Sequence, residues 1–329
     1  MKKIIAVILC IIMTIISVTL TACSNGESKK SEGTEGGLKI VTTIFPVYDW
    51  AKNITNGTNA DITMLLDSGA DLHNYQPSAE DIIKISDCDL FIYVGGESDG
   101  WAEDAIKNKT NPDMVSLNLL DALGDSAKEE ELAEGMQAEE EEEEEGEEEA
   151  EYDEHIWLSV KNAAALASAI EKQLEAVDAE NAEIYKANLN TYTQKLSALD
   201  KEYQSAVDNA KVDTLVFGDR FPFRYLVDDY NLKYFAAFIG CSAETEASFE
   251  TISFLSKKVD ELGLNYVITL EGTDHKIAQT LIENTKSKNQ KIISMNSMQS
   301  VTSDEVQNGA DYLSIMQDNL AVLKQALEN

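Results

Sequence analysis

Three histidines are the only imidazoles in the 329-residue chain, and each stands at a loop or element end among polar residues. They are His73 in Gly69-Ala70-Asp71-Leu72-His73-Asn74-Tyr75, His155 in Asp153-Glu154-His155-Ile156-Trp157, and His275 in Gly272-Thr273-Asp274-His275. A single loop histidine is ordinarily an exposed or hydrogen-bonded side chain. Two in matching contexts point beyond that, to the chemistry open to an imidazole near neutral pH: proton transfer or metal ligation. The chain carries no H-E-x-x-H helix, no G-x-S-x-G elbow and no Cys/His nucleophile pair, so it reads as a binding protein and not an enzyme.

The elements that must position these residues are punctuated clearly. Leu38–Ile44 is a β-rich run ending at Phe45-Pro46, followed by a helix over Val47–Ile54, a strand at Asp61–Leu66 and a loop over Asp67–Pro77. Ser78 is placed to cap a helix from Ala79, with Asp81 at its positive end. Leu90–Val94 is a fully apolar strand bounded by Gly95-Gly96. Continuous apolar runs between helices predict a parallel sheet covered on both faces. From Leu158 the composition turns helical, and Ala179–Val207 holds neither Gly nor Pro. A helix of about 30 residues would span about 45 Å, enough to join two domains. Strand patterns then resume at Thr214–Gly218, Tyr234–Phe238, Tyr266–Leu270 and Lys291–Met295, and Tyr312–Leu327 closes the chain as a helix. The predicted organisation is an N-terminal α/β lobe at 38–158 with a disordered acidic insert at 125–152, a helical region at 159–210, and a C-terminal α/β lobe at 211–329. By the usual domain size, about 150 residues, two domains are expected.

Charge sets the partners. With 26 Lys+Arg against 60 Asp+Glu the net charge is −34, which excludes a nucleic-acid binder needing a basic face. At 43% hydrophobic residues the chain can nevertheless bury a sizeable core. Glu129–Glu154 holds seventeen acidic residues and no basic one, including Glu139–Glu145 in unbroken succession. Self-repulsion predicts that it stays unfolded and solvated, either as an inert insert or as a fast-exchanging trap for cations beside a cleft.

Residues 1–22 read as an export signal: a basic start at Lys2-Lys3, an apolar run over Ile4–Val18 too short for a comfortable membrane span, then Leu20-Thr21-Ala22-Cys23. The last four resemble a bacterial lipobox, so Cys23 is expected to carry lipid and residues 23–37 to form a flexible tether outside the cytoplasmic membrane. Cys88 and Cys241 then remain in the folded part, read as buried free thiols with a Cys88–Cys241 bridge as the alternative.

The run Gly69–Ser78 is similar to the G-A-D-P-H-x-Y-E-P-S stretch of the zinc and manganese substrate-binding proteins of bacterial ABC transporters. Asp153-Glu154-His155-Ile156-Trp157-Leu158-Ser159 resembles their D-x-H-x-W-L-S-P motif, and the order of parts matches over essentially the whole mature chain. The resemblance implies two lobes, each with a mostly parallel sheet flanked by helices, bridged by one long rigid helix. It also implies one metal ion in the cleft, delivered to a membrane permease by a monomeric lipoprotein. His73 and His155 inherit the two first-lobe ligand roles, each oriented by an acceptor such as Asp71 or Asp153. The second lobe departs from the pattern, with Arg220 where relatives have His or Glu, and Asn296 where an Asp is usual. An arginine cannot ligate a cation. Glu271 and Glu244 are the candidate replacements, with Asp219, Arg220 and His275 as further residues of the cleft. Imidazoles with carboxylates favour Zn²⁺, with Mn²⁺ the alternative. A second reading keeps the same fold but gives it a metal chelate or other anionic ligand gripped by Arg220.

Overall fold

The apolar runs pair as strands in parallel, in two separate sheets. In the computed structural model, which describes residues 36–137, 151–242 and 246–329, the first sheet contains Lys39–Thr42 (β1), Asp61–Met64 (β2), Leu90–Tyr93 (β3) and Val115–Asn118 (β4). The second contains Thr214–Phe221 (β5), Lys233–Ile239 (β6), Tyr266–Leu270 (β7) and Lys291–Met295 (β8). Their orders are β2-β1-β3-β4 and β6-β5-β7-β8, with every pairing parallel. Both orders reverse direction beside the first strand of the sheet. In open parallel sheets that reversal leaves a crevice at the strand carboxyl ends. All four residues of β3 are buried, as a central strand covered on both faces requires.

The connecting helices begin where capping residues allow. Ser78 accepts a hydrogen bond from the Asp81 N–H while the Asp81 carboxylate reaches back to the Ser78 backbone, a reciprocal cap for the helix Ala79–Asp87. Ser159 caps Val160–Val177 in the simpler way, and Ser248 caps Phe249–Leu262. The helical region divides at Asp178, where a short 3₁₀ turn separates Val160–Val177 from the 27-residue helix Ala182–Asp208.

That helix, about 40 Å long at 1.5 Å per residue, bridges the two sheets' layers. Near its start the Asn188 side chain donates to the carbonyls of Ile54 and Asn56, beside the first sheet. Further on, the Tyr203 hydroxyl donates at 2.7 Å to the Met316 carbonyl, in the helix Tyr312–Glu328 that covers the second. One continuous apolar core runs through both sheets' inner layers, from Ile40 and Phe91 to Phe217 and Leu323, and a smaller cluster around Leu255 and Val267 fills the outer face of the second sheet. Residues 37–329 accordingly form one compact unit. Among the described residues no helix is long and apolar enough to cross a membrane.

The acidic segment differs from expectation at both ends. Glu129 pairs antiparallel with Tyr152, the Glu130 N–H donates to the Glu151 carbonyl, and the Asp153 N–H donates to the Lys128 carbonyl. Asp153 and Glu154 are buried, so the segment expected to be solvated contributes to the interior. Backbone pairing and the hydroxyl of Tyr225, which accepts from the Lys128 N–H and donates to the Asp153 carbonyl, offset the charge repulsion there. The polyglutamate run lies outside the described residues, as do the export signal and Cys23.

Candidate metal centre

The candidate residues that the structure describes sit at or just beyond strand carboxyl ends, or where a helix begins. His73 lies in a 3₁₀ turn, Leu72–Asn74, on the loop after β2. Asp71 caps that turn by accepting from the His73 N–H at 3.1 Å, so its short side chain sets the histidine's backbone and not its ring. The ring's Nδ1 meets the Ser98 hydroxyl at 2.8 Å, on the loop after β3. This corrects the expectation of Asp71 as the acceptor at the imidazole. His155 is fully buried, with the Asp153 carboxylate 2.9 Å from its Nδ1 and 2.8 Å from its N–H.

The protonation of both rings follows from their partners. A carboxylate only accepts, so His155 carries its proton on Nδ1 and leaves Nε2 bare. The Gln299 amide nitrogen only donates, and it stands 2.8 Å from His73 Nε2 and 2.9 Å from His155 Nε2. His73 therefore also has a bare Nε2 and gives its Nδ1 proton to Ser98. The two bare nitrogens are 3.3 Å apart and share the amide between them. Burial, with His155 second, pushes the His73 imidazole down to about 3, so it stays neutral across the ordinary pH range.

The Gln299 amide is itself anchored. Its carbonyl oxygen accepts from the Ser297 hydroxyl at 3.1 Å, and that hydroxyl is 2.6 Å from the Glu271 carboxyl at the end of β7. Glu271 also takes the Ser297 N–H at 2.8 Å, and burial raises its carboxyl above the usual range. Glu271, Ser297 and Gln299 thus form one chain of hydrogen bonds ending on the two imidazoles. Glu271 reaches the histidines through this chain and is not among the ligand atoms that converge on them. Asn296 does not face the histidines either: its side chain accepts from the Met298 N–H and its own N–H is held by Asn319. Gln299, three residues on, occupies the place expected of the loop after β8.

The sulfur of Cys241, on the loop after β6, joins the histidines. One ring nitrogen of each and the Cys241 Sγ lie within 4.8 Å of one another, the one such trio found among the described residues. Cys241 is partly exposed where a buried thiol was expected, and both Cys88 and Cys241 are free. Gly240 makes this approach possible, because a Cβ there would come within 2.7 Å of His155 Cε1. Neither Cys241 nor Gln299 is marked as a cleft residue by the sequence, since a thiol in an apolar run and a glutamine in a loop carry no spacing signal.

The remaining candidates line a cleft of their own, with none of the trio among its walls. A register shift in β5 between Phe217 and Arg220 re-aims Asp219 and Arg220. Asp219 holds the backbone, accepting from the Leu270 and Arg220 N–H groups. Arg220 donates to Asp71 at 2.7 Å, a link from the second sheet's loops to the first's. Burial works to raise Asp71, but the Arg220 hydrogen bond and charge hold its carboxyl below the usual value. Asp71, Arg220, Glu246 and His275 line a cleft of about 480 Å³. His275 starts the helix Lys276–Asn284 in a left-handed conformation and bonds to Thr273. Glu244 lies outside the described residues.

The loop carrying Ser98 is secured by buried acids. Glu154 Oε1 accepts from the Ser98 N–H at 2.7 Å, while its Oε2 has no hydrogen-bond partner and sits 3.8 Å from His73 Nδ1. Asp99 takes the Val94 and Gly95 N–H groups, and burial pushes it up to about 7. The folded protein then retains a proton that the unfolded chain, titrating near 3.8, has already released. Stability is fully present below that lower value and is lost as pH rises through the higher one. Asp99→Asn is expected to flatten this loss, so that its urea midpoint changes less than the wild type's between about pH 5 and about pH 8. Equal pH slopes for the two proteins would refute the assignment.

The comparisons with known proteins agree with one another. The sequence model of the family described as "Zinc-uptake complex component A periplasmic" matches residues 40–326. The zinc-binding lipoprotein AdcA of Streptococcus pneumoniae serotype 4 is 31% identical over 313 residues, covering 94% of this chain and 58% of that protein. This chain spans little more than half the length of the streptococcal relatives it matches. The high-affinity zinc uptake system protein ZnuA of Bacillus subtilis strain 168 is 30% identical over 311 residues, covering 94% of this chain and 93% of that one. Among solved structures, the Zn(II)-bound ZnuA-like domain of S. pneumoniae AdcA superposes with a TM-score of 0.70 at 28% identity, over 89% of this chain and all of that one.

Proposed function

The chain belongs to the zinc-uptake complex component A family, and from that premise we propose that it captures Zn²⁺ between its two sheets through His73 and His155 and hands the ion to an ABC transporter permease. The observation that carries this reading is the pair of bare Nε2 atoms 3.3 Å apart. Two nitrogens each 2.0–2.1 Å from a tetrahedral Zn²⁺ would be separated by about 3.3–3.4 Å. The rings are therefore already spaced as ligands of a single ion, and Asp153 and Ser98 fix the tautomers that such a role requires.

Capture would displace the Gln299 amide from the two lone pairs and so alter the Ser297–Glu271 chain behind it. The helix Ala182–Asp208 ties the layers of both sheets, which favours small loop and lobe adjustments over a wide hinge opening. The loaded form is what the permease would recognise. The lipobox at Cys23 supports tethering to the outer face of the cytoplasmic membrane, as the name of the pneumococcal relative suggests for that protein. Imidazole ligands favour Zn²⁺ over Mn²⁺. The rival ligand, an anionic chelate held by Arg220, loses support because Arg220 already holds Asp71 and donates to the Ser242 carbonyl.

Titration of the full chain with Zn²⁺ and Mn²⁺ tests the reading, together with zinc accumulation by cells lacking this chain at limiting zinc. The expected result is one tightly bound Zn²⁺ per chain, weaker Mn²⁺ binding, and an uptake defect that the wild-type chain restores. Zinc binding without saturation, or normal zinc accumulation in the deleted cells, would overturn it.

A further inference from the structure

We propose that Cys241 supplies a thiolate to this same site, making it a two-histidine, one-cysteine centre that selects thiophilic divalent ions such as Zn²⁺ and Cd²⁺ against Mn²⁺. The proposal rests on the capture reading above and assigns the second-lobe ligand that Arg220 cannot supply.

The geometry carries it. In a tetrahedral zinc centre with Zn–N of 2.0–2.1 Å and Zn–S of 2.3 Å, nitrogen and sulfur are about 3.5–3.6 Å apart. Cys241 Sγ lies within 4.8 Å of a ring nitrogen of each histidine, so it needs to close by little more than about 1 Å. The sulfur sits at the carboxyl end of β6, while both imidazoles come from the other half of the chain, so one ion would join the two sets of loops. Gly240 lets the strand end lie against His155 without a side chain in the way.

The surroundings suit a cation independently of the thiol. Glu154 is 2% exposed and presents an unpartnered carboxylate oxygen 3.8 Å from His73 Nδ1. Burial first, then the charges of Glu130, Glu154 and Asp153, raise the Cys241 thiol, so it keeps its proton until a cation displaces it. As the sulfur–metal bond forms, the S–H bond breaks heterolytically and the proton leaves to solvent, with no change of oxidation state. Soft sulfur favours Zn²⁺ and Cd²⁺, whereas Mn²⁺ prefers oxygen ligands.

Cobalt reports the sulfur directly. Titrating the full chain with Co²⁺ should produce a near-ultraviolet sulfur-to-cobalt charge-transfer band that saturates at one equivalent, persists in Cys88→Ala and vanishes in Cys241→Ser. Loss of an outer partner alone costs about 10–100-fold in metal affinity. Cys241→Ser is therefore expected to lose about tenfold or more for Zn²⁺ and distinctly less for Mn²⁺. Because Cys241→Ser could unfold the loop, the wild type provides a second reading: bound Zn²⁺ should protect the partly exposed Cys241 from iodoacetamide. Stoichiometric Co²⁺ binding without the band, a band that survives Cys241→Ser, or alkylation unaffected by Zn²⁺ would each overturn the thiolate while leaving histidine capture intact. Absence of any Co²⁺ or Zn²⁺ binding would overturn both.

Discussion

Replacing His155 by alanine is expected to lower zinc affinity by at least about two orders of magnitude, and His73→Ala by a similar factor. Losing only an outer partner of a ligand costs about 10–100-fold in affinity; losing the ligand itself exceeds that. Each imidazole offers a neutral Nε2 whose orientation is set by a hydrogen bond at Nδ1, from His155 to Asp153 and from His73 to Ser98. Alanine removes the nitrogen, and at His155 it also strips the buried Asp153 carboxylate of its ring partner, which costs about 1–3 kcal/mol of stability. His155→Gln, which keeps a polar group in the space, separates ligand loss from that structural cost. Competition with a chromophoric chelator measures the affinities, and circular dichroism checks the fold. Deleting residues 138–150 is expected to change zinc affinity little, because the described ligand atoms lie elsewhere. Undiminished zinc affinity in folded histidine variants would end the assignment.

The second large effect runs the other way, since Gln299→Glu is expected to tighten zinc binding by about tenfold or more, or about 1.4 kcal/mol. The native amide donates to both imidazole lone pairs that a cation must take. Each such hydrogen bond has a net worth of about 0.5–1.5 kcal/mol, so the glutamine competes with the ion. A glutamate has no such donors and would place an anionic oxygen ligand on the same loop. Gln299→Ala separates the two contributions by removing the competitor without adding a ligand. An unchanged or weaker zinc affinity in folded Gln299→Glu would show that the amide does not oppose the ion.

These two experiments bear on different halves of the site, and the halves differed in legibility. His73 and His155 were visible because their motifs are local: aspartate, histidine and capping residues a few positions apart shape one turn. Asp71 and Asp153 sit at the same two-residue distance from their histidines, yet Asp153 meets a ring and Asp71 only a backbone N–H. Spacing identifies the neighbour but not the atom it touches. The second half depends on the end of β5 and on the loops leaving β6, β7 and β8. Arg220 stands out in the sequence for its type, but its pairing with Asp71 spans 149 positions and arises only when the two sheets face each other.

The cap at Ser78, the parallel strands and the division into two sheets follow from side-chain patterns with short periods, so the amino-acid order alone determined them. It also determined the family, through two motifs in register along most of the chain. Tertiary structure decided that Gln299 and not Asn296 reaches the imidazoles, that Cys241 lies beside them, and that Asp153 and Glu154 leave a strongly acidic run for the interior. The physical reason is common to all three. A loop residue's contacts are fixed by where distant strand ends bring its backbone, and a cost such as burying Glu154 is offset by partners, here the Ser98 N–H, that no local pattern encodes.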